Sequence, residues 1–291
     1  MSDGSAAEGL RRRSTAVART NAPPIGMPSI VRAEFTKFLT LPSVWIVSAV
    51  IGLIFTFLHM TAFGDHVQMI ANVRPDGMYD TGHRLVEVSD EVTGYIYVPP
   101  LNAGLLLPVL GAVIAGIEFR AGQLGLSMVA VPNRSRLFAG KVIATTLYVL
   151  TLWVLFVAIG FVVIYFAVKD WDPTVLWQSA VFLSCARLLL FMVCATLIGF
   201  GITILARSTL VGIIFSIVSI MLVFAQVIAM ISPALDAILV PFSAARNLLL
   251  QGEDSGPPVT AGALHGGLVL TGWAVVSVGA AAIAMTRRDA R

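Results

Sequence analysis

Six apolar stretches of about 20 residues or more constrain the fold of this chain more than any other feature of its sequence. A helix crosses a bilayer with about 20 apolar residues. The stretches fall at about 44–63, 99–117, 142–168, 187–206, 209–231 and 259–285. Charged residues make up only 12% of the chain, roughly half their share in soluble domains. The sequence therefore predicts an all-α membrane protein with six transmembrane helices.

Other classes of protein are disfavoured by the charge, the cysteines and the motifs. The net charge is +3, but Lys and Arg lie at the ends of the apolar stretches rather than in one patch, so we expect no nucleic-acid partner. Cys185 and Cys194 would lie about 13 Å apart along one helix, which excludes a disulfide between them. No zinc-protease helix, nucleophile elbow or phosphate-binding loop occurs, so we predict a chain that is not an enzyme and holds no metal or cofactor of its own.

The chain before the first stretch has two parts. Residues 1–28 are polar, with four arginines and three prolines, and predict a disordered cytoplasmic tail. Residues 29–41 have the spacing of an amphipathic helix. Its apolar side holds Val31, Phe35, Phe38 and Leu39, and its polar side holds Arg32, Thr36, Lys37 and Thr40. We expect this helix to lie in the membrane interface and to end at Pro42.

The basic residues indicate an orientation for the predicted transmembrane domain, 42–291. With Arg187 set aside, fourteen Lys and Arg lie in segments that would face the cytoplasm and four in segments that would face outward. The cytoplasmic segments are the two termini, Arg207 and loop 118–141, and the outer ones are loops 64–98, 169–186 and 232–258. Because cytoplasmic segments carry the excess of positive charge, the sequence predicts a plasma-membrane protein with both termini in the cytoplasm.

Several residues leave alternatives open. The stretch 174–206 is 33 residues long and holds Arg187, whose burial at the centre of a span costs about 2.5–3.5 kcal/mol. We favour a short outer or re-entrant piece to about Ala186, followed by a span from Arg187, over one tilted helix in which Arg187 is paired. Pro108 is expected to kink the second span. Three histidines near the first outer loop are expected to be solvated, although a metal site stays open; they are His59, His66 and His83.

Short motifs at the ends of the stretches follow an ordered pattern. Glu34-Phe35-Thr36-Lys37 precedes the first stretch, Glu118-Phe119-Arg120 opens loop 118–141, and Pro132-Asn133-Arg134 and then Lys141 close it. Pro241-Phe242-Ser243 precedes the last stretch. This order resembles the permease subunits of ABC-2 type transporters, although Gln123 stands where that family usually has Thr. The resemblance implies a type V exporter-like architecture.

The resemblance also implies a function and the residues that carry it. The chain would be the permease subunit of an ATP-driven exporter of hydrophobic or amphipathic compounds such as drugs, antibiotics or peptides. It would pair with a second six-span permease, as a homodimer or a heterodimer, and with two ATP-binding subunits that hold ATP and Mg. The residues expected to couple to the ATPase are Glu34, Lys37, Glu118, Arg120, Leu124, Met128 and Arg134. Those expected along the translocation path are Asn102, Phe215, Ser219 and Gln226.

The residues of loop 118–141 are compatible with this role. Leu124, Met128 and Val131 recur at helical spacing and give the loop an apolar side that a partner subunit would cover. The alternative for this loop is a helix that lies on lipid headgroups with its arginines on phosphates. The alternatives for the whole chain are a secondary transporter or a channel-like membrane protein without an ATPase partner, and a membrane-bound sensory or enzyme subunit.

Overall fold

The fold is mainly helical in the computed structural model, which describes residues 26–82, 85–94, 96, 98–119, 130–131, 133–250 and 259–287. The helices are α1 (Met27–Thr40), α2 (Pro42–Ala71), α3 (Val88–Gly94), α4 (Val98–Gly104), α5 (Leu107–Gly116), α6 (Arg134–Val168), α7 (Ser179–Ala206), α8 (Thr209–Phe224), α9 (Val227–Ile231), α10 (Pro233–Leu239), α11 (Pro241–Leu249) and α12 (Ala263–Arg287). Short 3-10 turns cover Ile117–Phe119 and Pro173–Trp177. Strands β1 (Met78–Asp80) and β2 (Leu85–Glu87) pair antiparallel, with Tyr79 opposite Val86.

Within the ranges of the chain that the structure describes, five segments are long and apolar enough to cross a membrane. They are α2, Pro100–Phe119, α6, α7 and α12. The predicted fifth span, 209–231, is instead divided at Ala225 and Gln226 into the 16-residue α8 and the five-residue α9. Each is shorter than the roughly 20 residues of a usual crossing. The long apolar helices agree with the prediction of an all-α, multi-pass membrane protein.

The backbones of α5 and α7 are in direct contact at the centre of the bundle. A Cβ atom at Gly111 would overlap the carbonyl oxygen of Thr196, and one at Gly199 would overlap the carbonyl oxygen of Pro108. Glycine at both positions permits this close approach. The kink that Pro108 predicts is present as a two-residue turn directly before α5. Pro108 lies in the first turn of α5, where its missing N–H costs no hydrogen bond.

The course of α7 differs from the prediction. The helix runs without interruption from Ser179 to Ala206, so Arg187 lies inside a span and does not begin one. The outer piece that we expected to reach Ala186 ends at Trp177. The physical reason is that Arg187 is half-buried and lies only eight positions after the start of α7, near one end of the helix, where a charge is less costly than at the centre of a membrane.

The first part of the predicted outer loop 232–258 is built into the bundle. α10 and α11 each begin with a proline and form a helical hairpin. α11 is buried along nearly its whole length. The indole N–H of Trp273, near the middle of α12, donates a hydrogen bond of 2.9 Å to the carbonyl oxygen of Ile238. α11 therefore packs inside the bundle, and α10 lies at its surface with Asp236 and Ala237 buried. We refer to α10 and α11 as the re-entrant hairpin.

The segment between α2 and α4 packs in a small core of its own. Val88 and Val92 of α3 belong to one buried apolar cluster with Ile164 and Val168 at the end of α6. This cluster is separate from the main core, which lies between α5, α7 and their neighbours. The packing gives the predicted loop 64–98 a defined structure around the β1–β2 hairpin.

Two of the histidines predicted to be solvated are buried in α2. His59 and His66 are 2% and 3% exposed, because both lie on the buried side of α2, which continues past the predicted end of the first span to Ala71. Their Nδ1 atoms contact the carbonyl oxygens of Phe55 and Ala62, one turn earlier. His83 lies outside the described residues. Within those residues, no group of three His, Cys, Asp or Glu side chains could hold a metal ion.

Candidate functional site

Four charged side chains meet where α1, the end of Pro100–Phe119 and α6 come together. Lys141 Nζ lies 2.6 Å from Glu118 Oε1 and 2.8 Å from Glu34 Oε2. Lys37 Nζ lies 2.9 Å from Glu34 Oε1 and 3.3 Å from Glu118 Oε1. Each ammonium group therefore bridges both carboxylates, and the formal charges of the four residues cancel. We refer to these four residues as the charge cluster.

The position of α1 against α6 brings Glu34 into the charge cluster. α1 buries Ile30, Glu34 and Phe38, which recur every four residues on one side of the helix. A Cβ atom at Gly140 would press on the side chain of Ile30, so glycine allows α1 to lie close against α6. Lys141 follows Gly140 and reaches Glu34 across this contact. The buried side of α1 is thus rotated from the predicted apolar side, because Glu34 points inward.

Aromatic packing holds the other end of the contact between α1 and α6. The ring of Tyr148 lies edge-on to Phe38, with 5.9 Å between the ring centroids, and to Phe35, with 6.2 Å. The hydroxyl of Tyr148 forms a hydrogen bond of 2.8 Å with Ser48 Oγ of α2. One side of α1 therefore packs against α6, in addition to the membrane contact that its amphipathic pattern predicts.

The other two members of the charge cluster come from the two ends of loop 118–141. The 3-10 turn Ile117–Phe119 follows α5 and buries Glu118, which is 3% exposed. α6 begins at Arg134, after the side chain of Asn133 accepts a hydrogen bond of 3.0 Å from the backbone N–H of Arg136. Lys141 lies two turns later and is 2% exposed.

Burial and pairing act in opposite directions on the charges of the cluster. Burial lowers the pKa of Lys37, but the hydrogen bond from Lys37 to Glu34 and the charges of Glu118 and Glu34 more than offset this, so its pKa is raised above 10.5. Lys37 is therefore charged at neutral pH. The second carboxylate oxygen of Glu118, Oε2, is buried without a hydrogen-bond partner among the described residues. Glu118 also lines a cavity of about 10 Å³, which is close to the smallest space that holds one water molecule.

The charge cluster contains three of the residues predicted to couple to an ATPase: Glu34, Lys37 and Glu118. A fourth, Arg134, begins α6 about 10 Å along the helix from Lys141. The remaining three, Arg120, Leu124 and Met128, lie outside the described residues. Lys141 was not among the predicted coupling residues. The sequence places Lys141 next to the start of an apolar stretch. A lysine at such a position is ordinarily interpreted as a charge that flanks a membrane segment, so its role in the cluster was missed.

The residues predicted along a translocation path fall into two pairs. Phe215 and Ser219 of α8 line a small apolar cavity of about 10 Å³. The cavity is also lined by Pro108, Phe191, Ala195, Ile198, Pro241, Phe242 and Leu270. Asn102 is exposed on α4, and Gln226 interrupts the helix after α8 with a φ of 53°. The structure therefore joins α5, α7, α8, α11 and α12 around one cavity, which Asn102 and Gln226 do not line.

A second pair of opposite charges lies in the re-entrant hairpin. Asp236 of α10 is 3% exposed, and one of its carboxylate oxygens has no hydrogen-bond partner in the part of the chain that the structure describes. Arg246 of α11 lies near enough for the charge of Asp236 to act on it. The sequence did not reveal this pair, because loop 232–258 was predicted to be exposed to solvent.

Comparisons with protein-family models, with curated proteins and with solved structures find no match to this chain. The charge cluster and the re-entrant hairpin are therefore the main structural guides to its function.

Proposed function

We propose that this chain is the membrane-spanning subunit of an ATP-driven exporter of the ABC-2 type. It has six membrane segments, with α8 as the fifth, and both termini in the cytoplasm. It works with a second permease subunit and with two separate ATP-binding subunits that hold ATP and Mg. The observation that carries the proposal is the charge cluster, which joins α1 to both ends of loop 118–141.

The charge cluster supports a route for force from a partner into the membrane segments. Glu118 opens the loop and Lys141 closes it, and their contact of 2.6 Å holds the two ends together. Glu34 holds Lys141 from α1 at 2.8 Å. A push on the loop would therefore move α1 and the ends of two membrane segments as one unit. A transport subunit that lacks a phosphate-binding loop needs such a connection, because ATP is hydrolysed on another chain.

The apolar cavity beside Phe215 and Ser219 supports a hydrophobic or amphipathic cargo. Its lining residues include no charged side chain. The cavity of about 10 Å³ is too small for any cargo, so the surrounding helices must separate during transport. The surfaces they would then expose offer few polar groups to replace the water of a hydrophilic solute, whereas they suit an apolar compound that enters from the lipid. We propose that drugs, antibiotics or peptides with apolar surfaces are collected at or within the membrane.

Transport assays in vesicles test this proposal. We would reconstitute the full chain with its ATP-binding subunit and follow uptake of a fluorescent amphipathic dye into vesicles after ATP is added. We expect uptake with ATP and none with a non-hydrolysable analogue. Glu118→Gln should leave ATP turnover in place but lower the amount of dye moved per ATP, because the end of the loop is held less firmly.

An exposed ion pair provides the control for the Glu118 variant. Asp80 pairs with Arg74 at 3.3 Å, and both side chains are about half exposed. Asp80→Asn should leave the ratio of dye to ATP unchanged. Dye uptake by the purified chain without any ATP-binding subunit would contradict the proposal.

The buried carboxylate of Asp236, with Arg246 on the neighbouring helix, favours a second candidate, a secondary transporter driven by an ion gradient. Buried ionisable residues beside interrupted helices are common at the coupling sites of such transporters. In this case an imposed proton gradient should drive dye uptake in the absence of ATP, and Asp236→Asn should abolish it. For the ATP-driven exporter, the gradient alone should drive no uptake.

A further inference from the structure

A groove of about 790 Å³ runs between α1 and α6 on the side of α1 that faces away from the charge cluster. Its floor and walls are mostly apolar, with Val31 and Phe35 from α1 and Ile143, Leu147 and Leu150 from α6. The lining of α6 extends from Ile143 to Thr151, which is about 12 Å along the helix. Ile143, Leu147 and Leu150 are 42%, 41% and 37% exposed, so the groove is open along one side.

Arg32 and Thr36 form the polar rim of this groove. They lie one turn apart on α1, and the hydroxyl of Thr36 donates a hydrogen bond of 2.8 Å to the carbonyl oxygen of Arg32. Both side chains are exposed. Among the described residues, no carboxylate forms an ion pair with Arg32. A cation at the edge of an apolar groove, on an amphipathic helix, has the chemistry that receives an anionic headgroup.

We propose that this groove binds one anionic phospholipid of the leaflet that contacts α1. An acyl chain lies between Val31 and Phe35 on one side and Leu147 and Leu150 on the other. The phosphate group lies at Arg32. This inference does not depend on the transport function or on which side of the membrane α1 occupies.

Charge decides which lipid occupies the groove. Lipid tails are as apolar as Leu side chains, so the apolar walls alone give little preference for a bound lipid over the surrounding bilayer. The guanidinium group of Arg32 attracts an anionic headgroup more strongly than a zwitterionic one. We therefore expect the preference for an anionic lipid to be lost with the charge of Arg32.

Native mass spectrometry of the full chain tests this proposal. The protein in detergent is mixed with equal amounts of phosphatidylglycerol and phosphatidylcholine, and the ratio of the two bound lipids is measured. We expect phosphatidylglycerol to be favoured about fivefold, in line with the attraction of one Arg near a membrane surface. Arg32→Gln should bring the ratio close to that of the mixture. Arg136→Gln, which removes an exposed arginine outside the groove lining, should leave the ratio unchanged.

A second pair of variants tests the groove itself. Leu147→Trp fills the space between α1 and α6 and should lower the amount of bound phosphatidylglycerol. Leu155→Trp places the same side chain on α6 at a residue that is 51% exposed and does not line the groove, so it should bind lipid like the wild type. Equal retention of both lipids by the wild type, or an unchanged ratio in Arg32→Gln, would overturn the proposal. A change of oligomeric mass in Leu147→Trp without any change in lipid binding would assign the groove to a second copy and would also overturn it.

Discussion

Lys141 Nζ lies 2.6 Å from Glu118 Oε1, although residues 119–140, which include the first two turns of α6, separate the two along the chain. Both side chains are 3% exposed. A buried charge without its partner is far more costly than an exposed one, because it loses hydration and gains nothing in return. This pair therefore fixes the base of the loop, and its removal should have consequences that the removal of a surface pair does not have.

Replacement of Lys141 by Met should strongly destabilise the protein. It leaves the buried carboxylates of Glu34 and Glu118 with only Lys37 between them, and we expect a loss of about 3–5 kcal/mol in the free energy of unfolding. Denaturant unfolding in detergent micelles measures this. The double variant Glu118→Gln/Lys141→Met removes one of the carboxylates as well and should regain part of the loss.

The exposed pair of Arg74 and Asp80 is the control for this prediction. Arg74→Gln should change the free energy of unfolding by less than about 1 kcal/mol, because exposed ion pairs contribute little. Similar small losses for Lys141→Met and Arg74→Gln would show that the charge cluster does not hold the loop.

Lys37 should contribute to stability in a defined pH range. Its folded-state pKa is raised above the value of 10.5 by Glu34 and Glu118. A raised pKa means that its stabilising contribution is fully present below about pH 10.5 and is lost as the pH rises through the folded-state pKa. The difference in Tm between the wild type and Lys37→Gln should thus be constant from about pH 6 to 9 and shrink above pH 10.5. A difference that grows with rising pH would contradict this.

Gly199 should tolerate no larger side chain. A methyl group at this position would overlap the carbonyl oxygen of Pro108, which belongs to the backbone of α5 and cannot rotate away. We expect Gly199→Ala to lower the free energy of unfolding by about 1–3 kcal/mol or more. Gly272→Ala is the matched control on α12, because a Cβ atom there has no neighbour within 4 Å. Equal stability of the two variants would exclude the close contact between α5 and α7.

Cysteine labelling tests the proposed orientation. Cysteines introduced at Asp80 and Asp254 should react with a membrane-impermeant maleimide in intact cells, and one at Arg136 only after permeabilisation. The native Cys185 and Cys194 are buried, so they should give little background. Reaction of the Arg136 variant in intact cells would reverse the orientation that the basic residues predict.

The sequence predicts five of the six proposed membrane segments as long apolar helices, because their signal is local. About 20 apolar residues in succession are sufficient evidence for α6 or α12, and no knowledge of neighbours is needed. The start of α7 could not be predicted in this way. The cost of burying Arg187 depends on its depth in the membrane, and the sequence does not state that depth. The sequence therefore could not show whether the helix begins before Arg187 or at it.

The charge cluster and the re-entrant hairpin required knowledge of tertiary contacts. Glu34 and Lys37 lie on one helix, and their proximity could be predicted from a spacing of three residues. The pairing of Glu118 with Lys141 depends on how α1, α5 and α6 pack. Prolines at positions 233 and 241 were visible as helix starts, but nothing in the sequence shows that the helix beginning at Pro241 packs inside the bundle.

The central claim is that an ATP-binding subunit acts on this chain through loop 118–141. The most direct measurement is the amount of that subunit, recognised by its phosphate-binding loop, which co-purifies with Leu124→Asp/Met128→Asp at matched membrane abundance. Our account predicts that the wild type retains the subunit and that this variant loses it, because two charges would enter a desolvated contact. Gln123→Asp/Ala130→Asp adds the same charge off the apolar side of the loop and should retain it. Full retention of the subunit by Leu124→Asp/Met128→Asp would contradict the account.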